Sequence, residues 1–216
     1  LLDDDRLPPL DDVIARIADA RRWGRSVAAH CVTAGELALM LAAFETAGSR
    51  PGDRIEHGSV IAAEAIPVIK ALGLTVVTQS GFVDTRGDRY RALVDPAEQP
   101  DLYRCASLLA AGIPVAGSSD APYGDVDPWR AMRAAVERRT ADGYPLARNE
   151  SVAATRALDL YLGAMDDPGG PPRTIAAGAP ADLCLLRADI ETTVCDRQRH
   201  PVVATVLGGT LTYCAG

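Results

Sequence analysis

Two kinds of apolar spacing alternate along residues 1–172. Leucine, valine and isoleucine recur three or four positions apart over residues 10–23, and compact apolar runs follow at 26–32 and 74–80. The wider spacing is typical of amphipathic helices, and short β-branched runs are typical of buried strands. Helices that alternate with strands in this way predict a parallel sheet with helices packed against it.

Four of the short runs end in a polar side chain. We place these ends at His30, His57, Ser80 and Asp120, spaced on average by about one βα unit of roughly 31 residues. Four strands cannot close a barrel that needs eight, so the pattern predicts an α/β fold with a partial (β/α)8 TIM-type barrel. Residues 81–100 show little periodicity, and we expect a long loop there.

The pattern changes after the proline- and glycine-rich stretch at 167–172. Short β-type runs follow at 181–186, 202–207 and 210–214, and Gly208-Gly209 separates the last two. A two-residue glycine turn between such runs predicts a β-hairpin. We therefore divide the chain into a β/α unit, 1–172, and a β-rich tail, 173–216.

The amino-acid composition says more about the classes of binding partner than about the fold. The chain has 22 basic and 29 acidic residues, a net charge of -7 and no basic cluster, which argues against nucleic acid. No apolar run reaches the roughly 20 residues of a membrane span, so we expect no membrane and a small-molecule substrate. The five cysteines form no CxxC pair, and we interpret them as reduced, mostly buried thiols of a cytoplasmic protein.

Candidate chemistry lies at the predicted strand ends. His30, His57 and Asp120 occupy equivalent positions of the repeating unit, and the carboxyl ends of parallel strands meet at one edge of a sheet. A lone histidine is more often structural, and an aspartate there also caps turns, but three such groups together favour a divalent metal that activates water. Gln79 and Ser80 end the third strand, and we expect them to touch substrate.

Other polar residues near these ends have simpler interpretations. Glu56 and Cys31 each neighbour a histidine and should point to the opposite side of their strands, which argues against a thiol nucleophile. Arg86, Arg89 and Tyr90 lie in the predicted loop. Such a loop could close over a substrate, although solvated charges are the commoner arrangement for any one of them.

Four motifs resemble the second half of the metal-dependent amidohydrolase superfamily, in its N-substituted formamide deformylase-like branch. They are Ala29-His30-Cys31 and the segments at 54–58, 117–122 and 174–183. The resemblance implies the last four βα units of the barrel and the C-terminal strands of a flanking β-sandwich. It also implies hydrolysis of an amide or related non-peptide C–N bond, with His30 and His57 as ligands of one or two zinc ions and Asp120 as ligand and general acid/base.

The sequence also departs from that superfamily. No His-x-His pair precedes His30, and the first residue is Leu1. We therefore expect a truncated chain that is not a competent hydrolase alone, and that forms a homo-oligomer or associates with a chain carrying the missing N-terminal half. The alternative is a catalytically inactive fragment, a scaffold or subunit that keeps the amidohydrolase fold.

Overall fold

A computed structural model of the chain describes residues 7–197 and 200–215. Helices and strands alternate through the first part, and a strand, a helix and two further strands form the tail. Two 3-10 helices, at Gln99–Asp101 and Arg148–Glu150, lie in the connections. The other elements are α1 (Leu10–Arg22), β1 (Ala28–Cys31), α2 (Ala34–Ala47), β2 (Arg54–His57), α3 (Ala65–Ala71), β3 (Thr75–Thr78), α4 (Gly81–Leu93), α5 (Ala106–Ala110), β4 (Val115–Gly117), α6 (Pro128–Glu137), α7 (Ala154–Asp159), β5 (Leu183–Leu186), α8 (Ile190–Cys195), β6 (Val202–Leu207) and β7 (Thr210–Cys214).

The first four strands form one parallel sheet in the order β1-β2-β3-β4. This confirms the mixed α/β class and the four parallel strands expected from the sequence. The register sets His30 beside Glu56 and Cys31 beside His57. Within the described residues the sheet is open, with β1 and β4 as its edges, so closure into a barrel stays an expectation.

Local signals explain where several helices begin. Thr33 and Glu36 form a reciprocal capping box at the start of α2. Asp127 caps α6 by accepting a hydrogen bond from the backbone of Trp129, and Pro128 fills the first turn, as its sequence predicts. These caps fix the chain direction immediately after β1 and after the loop that carries Asp120.

The main core lies between the sheet and its helices. Ile55 and Val76 point from one face of the sheet, and Phe44 of α2 and Ile69 of α3 pack in the same cluster with no exposed surface. Burying a side chain of this size stabilises the fold by roughly 1.5–3 kcal/mol. The opposite face carries His30 and is the more accessible one, since the burial pattern of β1 alternates between exposed and buried residues.

The predicted loop at 81–100 was wrong, because residues Gly81–Leu93 form helix α4. Gly87 is one of the residues that suggested a loop. It lies where α4 packs closely against Thr140. A Cβ at that position would lie 2.6 Å from Cγ2 of Thr140. Close packing therefore requires a residue that helix propensity disfavours.

Two predicted helices are much shorter than their apolar spacing suggested. The helix expected over 102–111 is confined to α5, since Tyr103 has a left-handed backbone with φ 47°. The helix expected over 150–165 is confined to α7 after a 3-10 turn. In both places the chain bends to satisfy buried polar contacts described below.

The tail contains the predicted hairpin. Strands β6 and β7 pair antiparallel across Gly208 and Gly209, β5 pairs with the other side of β6, and helix α8 was not predicted. The described tail has one three-stranded sheet, so the second layer of a sandwich stays an expectation.

The thiols were expected to be mostly buried, which is wrong: only Cys31 and Cys105 are buried, and the exposed ones are Cys184, Cys195 and Cys214. None of the described helices combines the length and apolar character needed to cross a membrane.

Candidate metal centre and substrate cavity

The imidazoles of His30 and His57 lie edge to face, with ring centroids 4.5 Å apart and planes at 73°. His30 points from the accessible face of β1. His57 ends β2 with φ 68°, and Gly58 follows with φ 52°. This left-handed turn ends the strand beside Cys31 and lets the His57 ring meet His30 although strand alternation would separate them.

A cavity of about 360 Å³ lies against this pair. His30, His57 and Asp120 all line it, so the structure places the three predicted ligands around one space. The remaining lining residues come from the segment between β1 and α2, from α4 and from the loops after α4. They are Val32, Phe82, Arg86, Arg89, Tyr90, Leu93, Tyr103 and Tyr123. A volume of this size suits a small organic molecule.

Backbone strain is concentrated at the cavity. Three of the five described non-glycine residues with positive φ line it: His57, Tyr103 and Asp120, with φ of 68°, 47° and 54°. Such conformations cost of order 1–3 kcal/mol each and persist where surrounding contacts enforce them. Their clustering at one cavity identifies it as the candidate functional site.

The donor chemistry of the cavity suits a zinc-type cation, which prefers imidazole nitrogen and carboxylate oxygen. The two imidazoles are close enough to serve one ion from adjacent strands. Asp120 lines the same cavity, yet the part of the chain that the structure describes contains no group of three or more His, Cys, Asp or Glu side chains arranged to hold a metal ion. Convergence of all three residues on one ion therefore stays a prediction.

Tyr103 is the main cavity residue that the sequence did not single out. Its hydroxyl lies 2.9 Å from that of Tyr90, and its backbone N–H donates to the carbonyl of Ser59 at 2.8 Å, two residues after His57. Burial raises the pKa of the Tyr103 phenol above its ordinary value, with a further contribution from Tyr90. Tyr103 is therefore a neutral hydroxyl group in the neutral pH range.

The guanidinium of Arg138 holds the backbone of Tyr103 from the protein interior. It donates to the carbonyls of Leu102 at 2.7 Å and Tyr103 at 3.0 Å, and it also reaches the carbonyls of Leu146 and Ala147. Its side chain is fully buried, and that burial lowers its pKa. A buried cation bonded to four carbonyls fixes this loop far more tightly than apolar packing would.

Glu150 anchors the other side of the same loop. Its carboxylate accepts hydrogen bonds from the backbones of Cys105 at 3.0 Å and Ser107 at 2.9 Å, and from Arg104 at 2.6 Å. Burial alone would raise the pKa of Glu150, but the bonds from Ser107 and the charge of Arg104 outweigh it, and the pKa falls below its ordinary value. Glu150 is thus ionised and structural.

The remaining predicted site residues lie outside the large cavity. Ser80 is buried with its hydroxyl 3.3 Å from the thiol of Cys105, and Gln79 donates to the hydroxyl of Ser118 at 2.9 Å. Gln79 lines a separate cavity of about 10 Å³, large enough for one water. Substrate contact by Gln79 and Ser80 stays a prediction that their packing does not favour.

Cys31 and Glu56 lie near the histidine pair but differ in orientation. Cys31 is buried, and burial, with the nearby Glu36 carboxylate, raises the pKa of its thiol to about 12. It therefore remains protonated, which agrees with the argument against a thiol nucleophile. Glu56 alternates with His57 as expected, but this places it on the face that carries His30, where it is ion-paired with Arg54.

The sequence profile described as "Amidohydrolase family" matches residues 5–213. The chain belongs to the amidohydrolase family. It is 27% identical over 203 residues to N-substituted formamide deformylase of Arthrobacter pascens, covering 90% of this chain and 38% of that protein. It is also 27% identical over 216 residues to the putative amidohydrolase YtcJ of Bacillus subtilis (strain 168), covering 94% of this chain and 40% of that protein.

Solved structures agree on the fold. The crystal structure of an uncharacterized metal-dependent hydrolase from Pyrococcus furiosus matches with a TM-score of 0.62 at 28% identity, over 72% of this chain and 31% of that one. The amidohydrolase resemblance noted from the motifs is thereby confirmed. The chain spans well under half the length of each of these relatives.

Proposed function

We propose that this amidohydrolase chain forms part of a metal-dependent hydrolase that cleaves an amide or related non-peptide C–N bond. The observation that carries the proposal is the pair of imidazoles 4.5 Å apart in a cavity that Asp120 also lines. Membership of the amidohydrolase family and similarity to the metal-dependent hydrolase from Pyrococcus furiosus support it.

In this proposal His30, His57 and Asp120 hold a divalent ion, with zinc as the best chemical fit. When bound by these residues, such an ion would polarise a carbonyl and would lower the pKa of water towards about 7. Asp120 accepts the proton of the attacking water and returns it to the leaving nitrogen, so the carboxylate serves as base and then acid. Tyr103, held neutral by burial, lines the same cavity, with its hydroxyl 2.9 Å from that of Tyr90.

The alternative is a chain that keeps the fold as a non-catalytic scaffold or subunit. One observation favours it: among the described residues no three potential ligands are arranged to hold a metal ion. The open sheet adds to this, because solvent access weakens the electrostatic interactions on which such chemistry depends. Measurements of metal binding and of turnover distinguish the hydrolase from the non-catalytic scaffold.

Metal binding by the histidine pair can be tested with cobalt(II), whose visible absorption reports nitrogen ligation. The chain and its His30→Ala, His57→Ala and His200→Ala variants are titrated under identical conditions. His200 is exposed in the tail and does not line the cavity, so its variant is the matched control. We expect at least about tenfold weaker binding in the first two variants alone, and equal binding in all four proteins would contradict the proposed site.

Turnover is then measured on an N-substituted formamide with the metal-loaded chain and its Asp120→Asn variant. Loss of a general base lowers the rate by about 10²–10⁴-fold. Turnover that depends on Asp120 would establish the hydrolase. Metal binding without turnover would favour the scaffold for this chain and would agree with the expectation that it is not competent alone.

A further inference from the structure

Helix α4 presents one continuous face to the cavity. Its lining residues are spaced by three or four positions, which is one side of a helix: Phe82, Arg86, Arg89, Tyr90 and Leu93. This face combines aromatic and aliphatic surface with two guanidinium groups one turn apart. None of these residues is a candidate ligand or base in the proposed hydrolysis.

The two arginines differ in how they are held. The guanidinium of Arg86 lies 3.7 Å from the ring centroid of Tyr123 and donates to the Tyr123 carbonyl at 2.8 Å, and its Nε is buried with no hydrogen-bond acceptor among the described residues. Arg89 is exposed at the cavity, and no hydrogen bond or ion pair to its side chain exists within the described part of the chain. Arg89 therefore has its donors free for a ligand, whereas the guanidinium of Arg86 is held in place against Tyr123.

The acidic residues of α4 are engaged elsewhere. Asp84 accepts from Arg130 on α6, while Asp88 accepts from the backbone of Asp142 at 3.1 Å and lies 3.8 Å from Arg91. Asp120 is consequently the one carboxylate among the lining residues, against two arginines. A partly enclosed cavity with this excess of cationic side chains attracts an anionic group.

We propose that the α4 face is an anion-binding subsite, and that the substrate is an amide bearing a carboxylate and an apolar group. Cleavage of such a substrate rests on the proposed amide hydrolysis, whereas its binding to the α4 face does not. Arg89 binds the carboxylate, and Arg86, fixed against Tyr123, adds its positive charge. The rings of Phe82 and Tyr90 contact the apolar part.

The test compares N-acetyl-phenylalanine with N-acetyl-phenylalaninamide, which differ only in replacing the carboxylate by a neutral amide. Binding of both enantiomers of each is measured by titration followed by NMR, with a chelator present so that no metal contributes and no hydrolysis occurs. The proteins are the unmodified chain, Arg89→Gln and Arg91→Gln. Arg91 lies on the same helix but does not line the cavity; its guanidinium lies 3.9 Å from the ring centroid of Tyr144.

We expect the acid to bind at least about tenfold more tightly than the amide in the unmodified chain and in Arg91→Gln. Arg89→Gln should lose that preference while binding the neutral amide as before. Equal binding of acid and amide, no detectable binding of either, or an equal loss in Arg91→Gln would overturn the subsite. Because no metal takes part, these results are independent of whether the cobalt titration supports the histidine site.

Discussion

The β/α unit and the tail bury their apolar residues to very different extents. In the β/α unit, the strand residues Ile55 and Val76 are fully buried beneath helices. In the tail, every residue of β7 is exposed, and Leu185 and Leu211 are 60% and 59% exposed. The β/α unit therefore gains stability from its own core, whereas the tail sheet depends largely on its backbone pairing and on helix α8.

Helix α8 of the tail packs against helices α6 and α7 of the β/α unit. Val194 is fully buried among residues of α6 and α7. Arg133 of α6 donates to the carbonyls of Val194 at 2.9 Å and Asp196 at 2.6 Å, and Arg197 pairs with Glu137. The buried Thr193 and Val194 of α8 and a few polar contacts thus attach a sheet whose outer strands, β5 and β7, are largely exposed. This difference predicts that equivalent substitutions should cost far more in the β/α unit.

The largest effect should follow Glu150→Ala, which removes the acceptor for Arg104 and for two backbone N–H groups. Leaving these donors buried and unpaired should lower the free energy of unfolding by about 3–5 kcal/mol. Glu137→Ala removes the partner of Arg197 at the tail and should cost about 0–1 kcal/mol. Urea denaturation measures both, and similar costs would contradict the contrast.

The same carboxylate should make stability depend on pH. Because the native pKa of Glu150 lies below its ordinary value of 4.5, its ionised form stabilises the fold above that pH. This contribution is lost as the pH falls below 4.5 and through the lower native pKa. The free energy of unfolding should therefore fall more steeply with acid in the unmodified chain than in Glu150→Gln. Parallel curves from urea titrations at several pH values would refute this role.

Within the tail, Val194→Ala should cost about 1–2 kcal/mol, because it removes two buried methyl groups from the contact with α6 and α7. Leu211→Ala on the exposed face of β7 should change stability by less than about 0.5 kcal/mol. Thermal denaturation of the two variants compares them directly. A larger loss in Leu211→Ala would mean that the sheet face is covered in solution.

The reactivity of the thiols should also differ between the β/α unit and the tail, and measuring it requires no substitution. The three exposed cysteines all lie in the tail, and the two buried ones, Cys31 and Cys105, lie in the β/α unit, where burial raises the pKa of both thiols. A thiol reagent should label the tail cysteines in the native protein, and all five only after unfolding. Mass spectrometry of the labelled peptides locates the sites, and rapid native labelling of Cys31 or Cys105 would be inconsistent with this fold.

Local sequence signals were sufficient for the elements that depend on local interactions. The hairpin at Gly208 and Gly209, the cap at Asp127 and the end of β2 at His57 were predicted because turn chemistry, capping and short apolar runs act over a few residues. The ends predicted at Ser80 and Asp120 were wrong by two and three residues, since β3 ends at Thr78 and β4 at Gly117. The motifs around His30 and Asp120 also indicated the family, which the profile match confirms. The sequence thus determined the order of the strands and the residues to examine for chemistry.

Tertiary structure decided which side chains meet. Helix α4 was missed because Gly87 is unfavourable in an isolated helix and is required only where Thr140, 53 positions later, packs against it. The meeting of His57 with His30, and the hold of Arg138 on Tyr103, depend on left-handed backbone turns enforced by contacts between segments distant in sequence. Periodicity and propensity describe neighbours along the chain, whereas burial of a polar group is stabilised by partners that only the folded chain brings together.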